Sequence, residues 1–291
     1  LSAALELYQA SALVHDDIID KADERRGMPT PHRTLTDYHA AQSWIGSSTD
    51  FGRHGAILVG DFLFSAATAA ADEQALTLRE DCARAFSRRF ADMHAEVSLG
   101  QYLDITAEQT PLDPERTDAL STSDSLEVAL HKSAHYSVVH PALLGAICAA
   151  SSFDHVADLL DVLETILTPW GLAFQLRDDD LGVFGDPAVT GKPAGDDLRE
   201  GKRTALLALT WEASSPAERR ALTDVLGVAE ASAEQIATAT EIVERNGRAA
   251  HEAEIARLVA DGDAALEAST FDEDARAMLR ELCSILTARR A

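Results

Sequence analysis

The sequence predicts an all-α protein, a single domain over residues 1–291 with long core helices, on three observations. Apolar residues make up 46% of the chain, ample for a core, while 16 Gly and 9 Pro are few for a design built on tight turns. Long stretches repeat their apolar residues at helical spacing, and no convincing run of alternating strand residues occurs. No tandem repeat and no disordered linker divides the chain.

Residues 1–26 contain no Gly or Pro, and Leu1, Ala4, Leu5, Tyr8, Ala12 and Ile19 mark one helical face. Leu7, Ala10, Leu13 and Val14 make the other side apolar, so this helix is expected to be central. Residues 27–52 read as a long irregular segment. A helix follows through HGAILVGDFLFSAATAAA and another over about 78–107. EQTPLDPERT is a linker before one or two helices in SLEVALHKSAHYSVVHPALLGAICAAS. Residues 155–182 are helical, with a kink expected at TPWG (168–171). GDPAVTGKPAGDDLREGKRT is a loop, and the remainder returns to helices.

The formal charge of -24 argues against general nucleic-acid or anionic-membrane binding. It leaves room for an anionic substrate, because a metal site inverts the local potential. Cys82, Cys148 and Cys283 match no zinc spacing or disulfide framework and read as reduced thiols. No uncharged run is expected to reach the length of a membrane span and no signal peptide is visible, which fits a cytoplasmic protein.

Chemistry concentrates in two acidic clusters. LVHDDIIDKADERRG carries Asp16, Asp17 and Asp20, and FQLRDDDLGVFGD carries Asp178, Asp179 and Asp180. Asp16 and Asp20 share a helix face about 6 Å apart. Carboxylates on an apolar helix need compensation, and two such edges suit Mg²⁺ with phosphate oxygens and water. A solvated helix end is the plain alternative for either cluster alone. Basic escorts argue for more: Arg25 and Arg26 follow the first cluster, Lys192 and Lys202 the second, and Lys132 lies in HKSAH. Together they describe a site for a metal-bound di- or triphosphate. There is no Walker A or Rossmann glycine pattern, so a nucleotide is not the natural ligand. His131 and His135 have the spacing of a metal pair but lack the acidic partner pattern of a zinc protease, so zinc is not expected there.

DDIID with RRG, GQYLDI, HKSA, FQLRDD and GKPAGDDLREGKRT, in this order over residues 1–204, resemble the trans-isoprenyl diphosphate synthases, or polyprenyl synthetase family. The resemblance implies a bundle of long antiparallel helices around a central cavity with both aspartate motifs at its mouth. It implies that Asp16 and Asp20 bind Mg²⁺ from the first motif, which includes Asp17, and Asp178 from the second, with Asp179 ordering waters or a basic neighbour. Arg25, Lys132, Lys192 and Lys202 would hold an allylic diphosphate (dimethylallyl, geranyl or farnesyl), and Arg26 isopentenyl diphosphate. Gln175 and Ser133 would line the reacting end of the prenyl chain. Two or three Mg²⁺ ions are implied, with Mn²⁺ the alternative, and a homodimer. The implied reaction is head-to-tail condensation through an allylic carbocation.

Two departures stand out. Gly182 occupies the last place of the second motif, where the family often has aspartate; Asp186 is a weaker substitute. The family's upstream Gly-Gly-Lys-Arg segment is missing, and truncation of a longer natural chain is expected. Ser11 and Ala12, about one turn before Asp16, are small, while Tyr8 restores bulk about 12 Å along the helix. That pattern favours geranylgeranyl diphosphate, with farnesyl or longer products next. A terpene cyclase and a non-catalytic subunit of a heteromeric synthase are the remaining readings.

Overall fold

The computed structural model describes residues 1–185, 195–228 and 230–287, and these are helical almost throughout. The chain divides into two compact units, Leu1–Ser87 and Arg88–Ala291.

In the first unit, α1 (Ser2–Ile19) packs on α3 (Ser48–Ala75), where the Ser11 hydroxyl donates to the Gly60 carbonyl at 2.8 Å. Between them stands a two-stranded ribbon, β1 (Glu24–Arg25) and β2 (Met28–Pro29), the only sheet among the described residues. Its tight turn puts Arg26 at φ 54° and Gly27 at φ 72°, the pairing that a right-twisted hairpin demands. Thr30 anchors the ribbon by donating to the Ala22 carbonyl at 2.8 Å.

The segment read as irregular contains a helix, α2 (Pro31–Ala41). Its signal was present: Thr30 is the N-cap and Pro31 sits in the first turn, where a missing N–H costs nothing. Helix α3 begins under Ser47, whose side chain accepts from the Asp50 N–H. By length and composition alone α3 is long and apolar enough to cross a membrane, although Asp61 interrupts its apolar run, so the expectation that no uncharged run reaches that length stands. Much of its apolar surface is exposed, including Leu58 and Phe62.

Helix α4 (Glu80–Gln109) runs from the first unit into the second. Helix α5 (Thr122–Ala129) passes into a ten-residue π-helical segment, Leu130–Val139, before α6 (His140–Ala149). A π-helix is rare and concentrates at functional sites; this one carries Lys132 and Ser133. Helix α7 (Ala157–Phe184) continues through Pro169, so the helix does not end at TPWG. Trp170 is fully buried and donates to the Val259 carbonyl at 3.3 Å.

The short α8 (Asp196–Glu200) is bounded by Gly195 and Gly201, both at positive φ. After α9 (Ala205–Ala213), α10 (Pro216–Thr223) and α11 (Ala233–Asn246) open with capping boxes at Ser215 and Ser232. Then come α12 (Arg248–Ala268) and α13 (Glu273–Thr287). One apolar cluster, including Leu198, Leu206, Trp211 and Val243, seats α8 against α9 and α11. A second, with Leu176, Ala205 and Ile255, joins α7 to α12.

Candidate active site

In the first unit, the end of α1 places Asp16 and Asp17 consecutively and leaves Asp20 as the C-cap residue, whose N–H donates to the Asp16 carbonyl at 2.8 Å. The ribbon swings Arg25 back onto them. Its Nε donates to Asp17 Oδ1 at 2.6 Å and its Nη2 to Asp16 Oδ2 at 3.2 Å. Asp17 is 2% exposed; burial lifts its carboxyl above the ordinary range and the Arg25 contact opposes the rise. Burial opposes the Arg25 charge too, but Asp17, Asp16 and Asp20 hold the guanidinium above its usual value. Arg25 is thus engaged with carboxylates, and Asp17 is its structural partner. Arg26, at the ribbon's tip, is exposed.

Ser11 is buried against α3, so its small size serves the α1–α3 contact. Tyr8 is buried and meets Phe64 edge-on, ring centroids 6.3 Å apart, while Ala12 is half-buried.

In the second unit, Lys132 on the π-helical segment donates to Asp104 Oδ2 on α4 at 2.5 Å. Gly100 makes that approach feasible: a Cβ there would lie 2.3 Å from the Lys132 backbone nitrogen. The GQYLD and HKSA motifs are therefore two sides of one contact, and Ser133 is half-buried beside it.

The three aspartates near the end of α7 have different surroundings. Asp180 is 4% exposed and accepts from Arg248 Nε at 3.0 Å and Nη2 at 3.2 Å, with Arg177 Nη1 at 3.8 Å. Asp179 accepts from Gln175 Nε2 at 2.9 Å, so Gln175 orients this carboxylate. Burial pushes the Asp179 carboxyl up to about 8, helped by the charges of Asp197 and Asp178. Asp178 is half-buried.

At Gly182 a Cβ would lie 1.9 Å from Asp197 Oδ2. The place where the family often has a third aspartate is thus filled by a carboxylate from the glycine-rich segment. Lys202 Nζ lies 2.7 Å from Glu200 Oε2 and 4.0 Å from Asp197 Oδ1. Lys192 and Asp186 lie outside the described residues.

The donor set fits Mg²⁺: hard carboxylate oxygens in each unit, with arginines holding Asp17 and Asp180 in place. Sequence reading missed Asp197 and Arg248, because their partners Gly182 and Asp180 lie 15 and 68 residues away in the chain.

It also passed over Glu96. Three imidazoles meet this carboxylate: His131 Nδ1 at 2.7 Å and His135 Nδ1 at 2.6 Å from Oε1, and His140 Nε2 at 2.7 Å from Oε2. Burial works against the Glu96 charge, but hydrogen bonds from the three histidines hold its carboxyl well below the ordinary range. His94, two residues before Glu96 on α4, is pushed down to about 4 by burial and by His140.

The sequence profile of the family described as Polyprenyl synthetase matches residues 1–243. The chain is 32% identical over 248 residues to the geranylfarnesyl diphosphate synthase of Aeropyrum pernix, covering 85% of this chain and 68% of that one. To the geranylgeranyl diphosphate synthase of Mycobacterium tuberculosis it is 32% identical, covering 97% and 72%. The crystal structure of geranylgeranyl pyrophosphate synthase from Corynebacterium glutamicum, complexed with isoprenyl diphosphate and magnesium, superposes with a TM-score of 0.88 at 39% identity over 99% of this chain and 78% of that one. The chain thus spans about two thirds to three quarters of the length of these proteins.

Proposed function

We propose, since the chain belongs to the polyprenyl synthetase family, that it is a prenyltransferase condensing isopentenyl diphosphate with an allylic diphosphate into a short-chain trans-prenyl diphosphate, chiefly geranylgeranyl diphosphate. The observation that carries this reading is the division of labour within each aspartate cluster. Arg25 holds the buried Asp17 at 2.6 Å and reaches Asp16 at 3.2 Å, and Arg248 holds Asp180, which directs the metal role to Asp20, Asp178 and the less tightly held Asp16. On this reading residues 1–291 are one domain and both clusters serve the same reaction.

Bound Mg²⁺ would neutralise the diphosphate as it departs. The residues' own task is to hold that diphosphate. Lys132, set by Asp104, and Lys202, set by Glu200, offer ammonium donors to its oxygens. Lys192 would join them, and Arg26 at the ribbon tip would take isopentenyl diphosphate. The allylic C1–O bond breaks with its electron pair leaving on diphosphate. The double bond of isopentenyl diphosphate attacks the cation, and the departing diphosphate takes the proton then lost. Ser133 and Gln175 border the reacting end, and Tyr8, below Ser11 and Ala12, limits chain growth. The reading includes a homodimer in the cytoplasm and two or three ions, Mg²⁺ rather than Mn²⁺.

The test is incubation with labelled isopentenyl diphosphate, Mg²⁺ and each allylic starter, using this chain and one extended upstream, followed by dephosphorylation and sizing. A C20 alcohol that disappears in Asp16→Ala and lengthens in Tyr8→Ala is expected. A hydrocarbon formed from one substrate alone would point to a cyclase. No incorporation by either protein beside a working control would leave a subunit role.

A further inference from the structure

The Glu96 cluster lies wholly within the second unit and uses none of the aspartates assigned to the proposed reaction. We propose that Glu96, His131 and His135 form a site for a divalent transition-metal ion, Zn²⁺ above all, that clamps α4 to the π-helical segment on either side of Lys132.

The ligand atoms already converge. One ligand atom from each of Glu96, His131 and His135 lies within 4.8 Å of the other two, and both His131 Nδ1 and His135 Nδ1 contact Glu96 Oε1. The two imidazole contacts to Oε1 are 2.7 and 2.6 Å, whereas zinc ligands about 2.0–2.1 Å from the metal stand about 3.3 Å apart in a tetrahedron. Opening each contact by about 0.6 Å admits the ion, a displacement within the reach of side-chain torsions. The two rings stand at 88°, with centroids 5.9 Å apart, so they approach from separate directions.

The chemistry balances. Each neutral imidazole carries one ring proton. With that proton at Nε2, Nδ1 offers its lone pair to the metal and the former N–H···O contact becomes a shared ligation. Two neutral imidazoles and one carboxylate leave a net charge of +1, with water completing the sphere. Imidazole with a single carboxylate suits zinc and its first-row neighbours over Mg²⁺, which wants oxygen.

Outer support and entry are both present. His140, 4% exposed, holds the second carboxylate oxygen at 2.7 Å and so aims Oε1 at the site. The His131 side chain is 35% exposed, which gives the ion a way in. The sequence pattern hid this site because the acidic ligand sits 35 and 39 residues before its histidines.

The deciding experiment titrates this chain, chelator-treated, with Co²⁺ in excess Mg²⁺ and without any diphosphate, following visible absorption and then Zn²⁺ displacement. One equivalent of Co²⁺ with low-coordinate absorption, displaced by Zn²⁺, is expected, and Zn²⁺ should raise the melting temperature. His135→Gln and the half-exposed His131→Gln should each weaken Co²⁺ binding about 100-fold or more, while Asp178→Ala leaves it unchanged. Absence of binding at micromolar Co²⁺, or binding that survives in folded His131→Gln, overturns the proposal. Because no turnover is read, these outcomes do not depend on the prenyl-transfer reading.

Discussion

Asp178 and Asp180 look interchangeable in RDDDLG, yet their neighbours assign them opposite roles. Asp180 accepts two hydrogen bonds from Arg248 and lies 3.8 Å from Arg177, itself bound to Glu252. Removing one partner of a buried ion pair leaves an uncompensated charge, whereas removing a half-buried carboxylate beside like charges relieves repulsion. Asp180→Ala should therefore cost about 3 kcal/mol of unfolding free energy, the low end for a buried pair because Arg248 is partly exposed. Asp178→Ala should stay within about 1 kcal/mol of the parent in urea denaturation while losing turnover. Equal losses of stability in the two variants would refute this division. None of it was legible locally, since Arg248 stands 68 residues beyond its partner. The Asp16–Asp20 pair was legible because helical spacing alone puts both on one face.

Elements were easier to read than the contacts between them. The long helices appeared in the sequence as uninterrupted 3.6-residue periodicity, and α2 was missed although Thr30–Pro31 announces its start. The π-helical form of Leu130–Val139 left no trace in composition, because only tertiary packing selects it over an α-helix. The end of α7 shows the same limit. Gly182 reads as a lost aspartate, but its missing side chain is the space that Asp197 of α8 occupies. Restoring the motif by Gly182→Asp should consequently destabilise the protein by about 2 kcal/mol or more, through overpacking and like-charge contact. Asp197→Ala placed on top of it should recover most of that loss, a favourable coupling between the two positions. A Gly182→Asp protein as stable as the parent, by urea midpoint, would show that the two carboxylates do not compete for one place.

At the scale of the whole molecule, the two acidic clusters belong to different compact units, Leu1–Ser87 and Arg88–Ala291. The proposed reaction nevertheless needs both on a single leaving group, because a diphosphate departing from an allylic carbon develops charge that one cluster's cation neutralises only in part. That requirement is kinetic and has a signature. Asp16→Asn and Asp178→Asn should each lower kcat/KM by about 10²–10³-fold, the scale of losing one preorganised electrostatic contact to a transition state. If both act on the same diphosphate, the second loss falls on a site already unable to ionise the substrate. The double variant should then be little worse than the poorer single one, far short of the product of the two factors. Losses that multiply would mean that the clusters serve separate steps or separate ligands, and the reading that both act on one diphosphate would fall with the family's other inferences intact. The sequence supplied both clusters and their escorts; the measured coupling between Asp16 and Asp178 decides if both serve one step.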